Sequence, residues 1–118
     1  MECGKEAFQP QHSKEMRAIR DSMDVLHGKW TIAIISSICY YNKRRFSDIL
    51  NDVDGISNRM LSKELKELEI NKLIERTVLD TQPVTVQYEL TEHGRTLQTL
   101  IHNLTRWGME HRKKIIGA

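Results

Sequence analysis

A chain of 118 residues with 18 Lys and Arg against 16 Asp and Glu, a formal net charge of +2, is about the size of one domain. At that length about two-thirds of the unfolded chain's surface can be buried, so folding requires neither disulfides nor a structural metal. Near-even charge, 39% hydrophobic residues, 29% charged residues and only two prolines exclude a histone-like tail, an acidic disordered activator and a collagen-like chain.

Residues 1–12 are polar, contain Pro10 and show no period, which reads as a flexible leader before a single domain over 13–118. No apolar stretch follows the first residues, so no signal peptide is expected. The longest apolar run, residues 32–41, is broken by Ser36 and Ser37, and no membrane contact is expected. Cys3 and Cys39 form neither a disulfide framework nor a CxxC pair, which suits a reducing, cytoplasmic setting.

A first helix is expected from Ser13, where Met16, Ile19, Met23 and Leu26 recur at three- and four-residue steps up to Gly28. A second, over 30–41, carries Ile32, Ile34, Ile35 and Ile38 with almost no polar face, as a central buried helix would. Asn42, Lys43, Arg44 and Arg45 read as a basic turn. A short third helix follows over 46–53, with Ser47 as its candidate cap, and Asp54-Gly55 is a turn dipeptide. Ser57 caps a fourth helix running to Asn71, where Leu61, Leu65 and Leu68 share a face. The period then changes. Residues 74–79 and 84–90 alternate around a turn at 80–83, giving a two-stranded hairpin with Val84, Val86, Tyr88 and Leu90 on one face. Thr91 caps a long last helix over 92–115, whose apolar stripe is Leu97, Leu100, Ile101, Leu104 and Trp107.

Two helices joined around Gly55 with a hairpin directly after them form the order of a winged helix-turn-helix, whose second helix enters the major groove of DNA. At about 100° per residue, Arg59, Lys63 and Lys66 fall opposite the three leucines, with Asn58 and Ser62 beside them. Cations neutralise phosphate and can read guanine, while Asn and Ser bond base edges. The start of this helix, capped by Ser57, offers free N–H groups to a phosphate. On an isolated helix such a stripe reads as a solvated face; the preceding turn and the following hairpin favour a groove-facing one. Lys43, Arg44 and Arg45 form a second basic cluster where the motif would meet the DNA backbone. Phe46 reads as a core anchor. The wing tip has no Lys or Arg; Arg76 on the first strand reads either as a phosphate contact or as a solvated strand residue.

These segments resemble the HxlR family of prokaryotic transcription regulators, relatives of the MarR-type winged-helix proteins. The likeness is carried by Gly28-Lys29-Trp30, by residues 44–50, by residues 55–69, by residues 86–94 and by Trp107-Gly108. The resemblance implies a mainly α-helical fold with a small hairpin wing and a homodimeric regulator that binds double-stranded DNA. Where the family often has Gly, this chain has Lys72, and Asn71 is expected to supply the left-handed cap instead. Where the family often has Cys-Pro, which senses oxidants in some members, this chain has Met16-Arg17, so that role does not carry over. Cys39 reads as a small core hydrophobe.

No phosphate-binding loop, GxSxG or HExxH is present, and no catalytic residue, metal site or cofactor is expected. His93, His102 and His111 are nine residues apart and fall on alternating faces of one helix. The first and last helices carry more apolar surface than one small domain covers. Met16, Ile19, Met23, Leu97, Leu100, Ile101, Leu104 and Trp107 are therefore the candidate dimer surface, part of which must also cover the protomer's own core. A small-molecule effector of unspecified identity has a place in this scheme. The competing function is a winged-helix protein–protein interaction module that binds no DNA.

Overall fold

The computed structural model describes residues 12–117; the expected leader, and Cys3 within it, lies outside the described residues. Among the described residues nine elements follow one another: α1 His12–Leu26, α2 Thr31–Tyr41, β1 Lys43–Arg45, α3 Phe46–Asp52, α4 Asn58–Ile70, β2 Ile74–Leu79, β3 Thr85–Leu90, α5 Glu92–Arg95 and α6 Gln98–Ile116. The result is a winged helix-turn-helix.

The isoleucines of α2 form its centre, as a helix with almost no polar face requires. Ile34, Ile35 and Ile38 are fully buried and pack with Ile49 of α3 and with Leu61, Leu65 and Leu68 of α4. Leu73, Ile74, Tyr88 and Leu90 close the core from the sheet side, and Cys39 packs against it half-buried, as a small hydrophobe does. Trp30 reaches across to the turn between α3 and α4, where a Cβ on Gly55 would lie 3.6 Å from its ring. Gly55 has φ +88, a left-handed conformation that glycine adopts without strain.

Four local expectations are corrected. The basic turn is largely strand: Lys43–Arg45 pairs antiparallel with Gln87–Glu89, so the sheet has three strands in the order β1-β3-β2. A three-residue strand is too short to show alternation. The cap of α3 is Arg45 rather than Ser47, because the Asp48 carboxylate reaches back to accept from the Arg45 backbone N–H at 3.3 Å. At the end of α4 it is Lys72, φ +62, that takes the left-handed conformation, while Asn71 stays at φ −81. The long last helix is interrupted: Thr96 and Leu97 donate to His93 and Gly94 three residues back, which tightens the chain between α5 and α6.

Gly94 sits at that interruption for a steric reason. It is buried against the link between α4 and β2, and a Cβ there would collide with the Leu73 carbonyl oxygen. Gly94→Ala is expected to destabilise the fold by about 2–4 kcal/mol, because the obstacle is backbone that cannot swing aside. Urea denaturation checks it; a midpoint equal to that of the parent protein contradicts the packing described.

Neither α1 nor α6 contains a buried residue. Among the candidate dimer residues, Leu97 and Ile101 pack half-buried on the protomer's own core. Met16, Ile19, Met23, Leu100, Leu104 and Trp107 are exposed, as are Met109, Ile115 and Ile116, which the sequence reading had not singled out. The radius of gyration is 17.2 Å, against about 13 Å for a compact domain of 100 residues. The two terminal helices thus extend from the winged domain with apolar faces uncovered.

Candidate nucleic-acid interface

The helix-turn-helix presents α4 by burying its opposite side. With Leu61, Leu65 and Leu68 locked in the core, Asn58, Arg59, Ser62, Lys63 and Lys66 are all exposed along the outer stripe. Ser57 caps the helix, its hydroxyl accepting from the Met60 N–H at 3.1 Å. The orientation of α4 is also fixed from its inner flank, where the buried Thr31 hydroxyl at the start of α2 donates to Glu64 at 3.3 Å. Among the described residues, Arg59, Lys63 and Lys66 have no ion-pair partner. Three unneutralised cations on one ridge carry a local positive field despite the small net charge.

The basic cluster before α3 divides into different roles. Lys43 is exposed. Arg45 is exposed too, but its Nε bonds Asp48 at 3.2 Å. That guanidinium holds the Asp48 carboxyl below the usual carboxylate range. Arg44 is corrected. It turns inward with its guanidinium 3.8 Å from the centre of the Tyr41 ring, pairs with Asp52 at 3.5 Å, and donates to the Asp48 carbonyl at 3.2 Å. These contacts tie β1 to α3, the first helix of the motif. Arg44→Ala should therefore cost about 1–3 kcal/mol of folding stability and leave the salt dependence of DNA binding unchanged. A flattened salt slope with an unaltered denaturation midpoint would restore Arg44 to the phosphate contacts.

Arg76 of β2 is exposed, lies opposite Tyr88 in the register, and rests beside its hydroxyl. Burial pushes the Tyr88 phenol above the usual tyrosine value, with Arg76 acting against that shift. The wing tip, residues 80–83, carries no cation, and Val78 and Val84 flank it exposed.

Two features escaped the sequence reading. Ile70, 68% exposed, continues the outer stripe of α4 beyond Lys66. Beside it, an open groove of about 560 Å³ separates the second half of α4 from the hairpin. The signal for the helix side was present in the spacing of Ser62, Lys66, Glu69 and Ile70; its juxtaposition with the hairpin arises only in the fold. Among the described residues, no three His, Cys, Asp or Glu side chains gather as a metal site would require, and no helix is long and apolar enough to cross a membrane.

Comparison with known proteins agrees with this architecture. The model of the HxlR-like helix-turn-helix family matches residues 25–115. The HTH-type transcriptional regulator YtcD of Bacillus subtilis (strain 168) is 32% identical over 100 residues, which cover 85% of this chain and 79% of YtcD. A MarR-family transcriptional regulator from Porphyromonas gingivalis W83 superposes with a TM-score of 0.73 at 35% identity, covering 78% of this chain and 89% of that one. The reduced form of the redox regulator HypR gives 0.74 at 31% identity, covering 86% and 99%. The chain belongs to the HxlR-like helix-turn-helix family, and is a winged-helix transcription regulator rather than an enzyme.

Proposed function

We propose that the protein is a cytoplasmic homodimer that binds double-stranded DNA sequence-specifically, with α4 in the major groove and the β2–β3 hairpin as a wing beside it. The observation that carries this reading is the outer stripe of α4, where three cations without ion-pair partners among the described residues stand beside Asn58 and Ser62. Arg59, Lys63, Asn58 and Ser62 lie on the first turns, where side chains reach base edges; Arg59 has the planar fork that matches both guanine acceptors. Lys43, Arg45 and Arg76, the N–H groups behind Ser57, and Lys66 surround them and meet phosphates. Dimerisation is supported by the exposed apolar rows of α1 and α6, which a twofold contact between two copies would take out of water. The two recognition helices then meet half-sites about one helical turn, roughly 34–36 Å, apart or at a multiple of it.

Selection of duplexes from a random pool by the full chain tests this. An enriched inverted repeat with that spacing is expected. A pool that stays random through successive rounds, from a folded protein, sinks sequence-specific binding and leaves the protein-interaction module.

A further inference from the structure

Ile70 is an apolar side chain on a line of cations. About three turns beyond Arg59, it returns to within about 20° of that residue around α4. Lys63 and Lys66 lie within about 40° of the same line, and Leu61, Leu65 and Leu68 lie opposite. The outer stripe therefore runs from Arg59 through Lys63 and Lys66 to Ile70 and ends there, because Asn71 caps the helix and Lys72 turns left-handed. Ile70 is 68% exposed and belongs neither to the buried core nor to the half-buried residues packed on it.

Its neighbours are charged. Lys66 stands one turn before it, Arg76 lines the same groove from β2, and neither has an ion-pair partner among the described residues. Glu69 also lines the groove, but about 100° from Ile70 around the helix, on the side of Tyr88. Whatever covers Ile70 must offer one apolar point with anions on either side of it. The major groove of DNA does so. Phosphates run along both of its edges, and the C5-methyl group of thymine is the apolar feature of its floor.

We propose that Ile70 reads the C5-methyl group of one thymine in each half-site. The inference rests on the DNA-binding reading above and adds a second kind of recognition to it: the first turns of α4 meet hydrogen-bonding edges, and its last turn meets a methyl group. Ile70 lies about 16 Å from Arg59 along the helix axis, so the two side chains serve different base pairs. An isoleucine there rejects cytosine, which has no methyl group, and purines, which present the polar N7 instead.

The duplex selected from the random pool provides the test. Each thymine of one half-site, together with its symmetry mate, is replaced in turn by deoxyuridine, which removes the C5-methyl group and keeps the base pair. Burial of one methyl group corresponds to roughly a fourfold change in affinity, so at one position the parent protein should lose about tenfold or more over the two half-sites. With Ile70→Ala the thymidine and deoxyuridine duplexes should bind within about twofold of each other. Ile70→Gln should lose the preference as well; the position is exposed and both residues suit a helix, so the fold is kept. Arg59→Ala should lower affinity and leave the methyl preference intact. The contact is overturned if no thymine shows the methyl dependence with the parent protein, or if the dependence persists undiminished in Ile70→Ala and Ile70→Gln. A folded protein that binds no duplex overturns the DNA reading, and this contact with it; a duplex bound without methyl dependence overturns the contact alone.

Discussion

Leu104→Lys is expected to convert the proposed dimer into a folded monomer. Leu104 is 45% exposed in the protomer, so the substitution leaves the winged domain's core intact. In a twofold interface the same change occurs twice, and each new ammonium group loses water without gaining a partner. We expect a loss of about 3 kcal/mol or more, at least roughly a hundredfold in the dimer dissociation constant. Sedimentation equilibrium reads this directly. Affinity for the two-half-site duplex should fall as well, because the second half-site contact is no longer tethered to the first. Parent protein and variant with the same association constant would place the interface elsewhere on the molecule.

The second large effect is at Arg59. It is exposed on α4 without an ion-pair partner among the described residues, and Ala is a good helix former, so Arg59→Ala removes a contact and not the fold. If the guanidinium reads guanine, the variant loses about 1–3 kcal/mol on the selected duplex and much less on a scrambled one. Lys43→Ala, by contrast, should weaken both duplexes alike and reduce the salt slope by about one. An equal loss on both duplexes for Arg59→Ala would make that residue a phosphate clamp and move the reading of bases to Lys63 or Asn58.

What was legible in the sequence followed from short-range periodicity. The two faces of α4 could be read because Leu61, Leu65 and Leu68 repeat at helical spacing and Arg59, Lys63 and Lys66 repeat opposite them. The buried α2 and the hairpin were legible for the same reason. What was not legible depends on residues distant in the chain meeting in space. Arg44 looked like its basic neighbours; only pairing with Tyr88 and contact with Tyr41 and Asp52 turn it inward. Leu97 and Ile101 belong to the same apolar stripe as Leu100 and Leu104, and the rotation of α6 against the core decides which pair covers the protomer. The left-handed Lys72 reflects the demand of the link between α4 and β2, which overrides the preference of Asn71 for that conformation. The groove beside α4 needs helix and hairpin together.

The most direct measurement of the central claim is the affinity of the full chain for the selected duplex and for a scrambled duplex across a series of salt concentrations. Each phosphate neutralised by a cation contributes about −0.9 to the slope of log K against log salt. With Lys43, Arg45, Lys66 and Arg76 on each protomer meeting phosphates, the selected duplex should show a steep slope, roughly −7 for the dimer, and tighter binding than the scrambled duplex at every salt concentration. A slope near zero, or equal affinity for the two duplexes throughout, would contradict a dimer that reads DNA through α4.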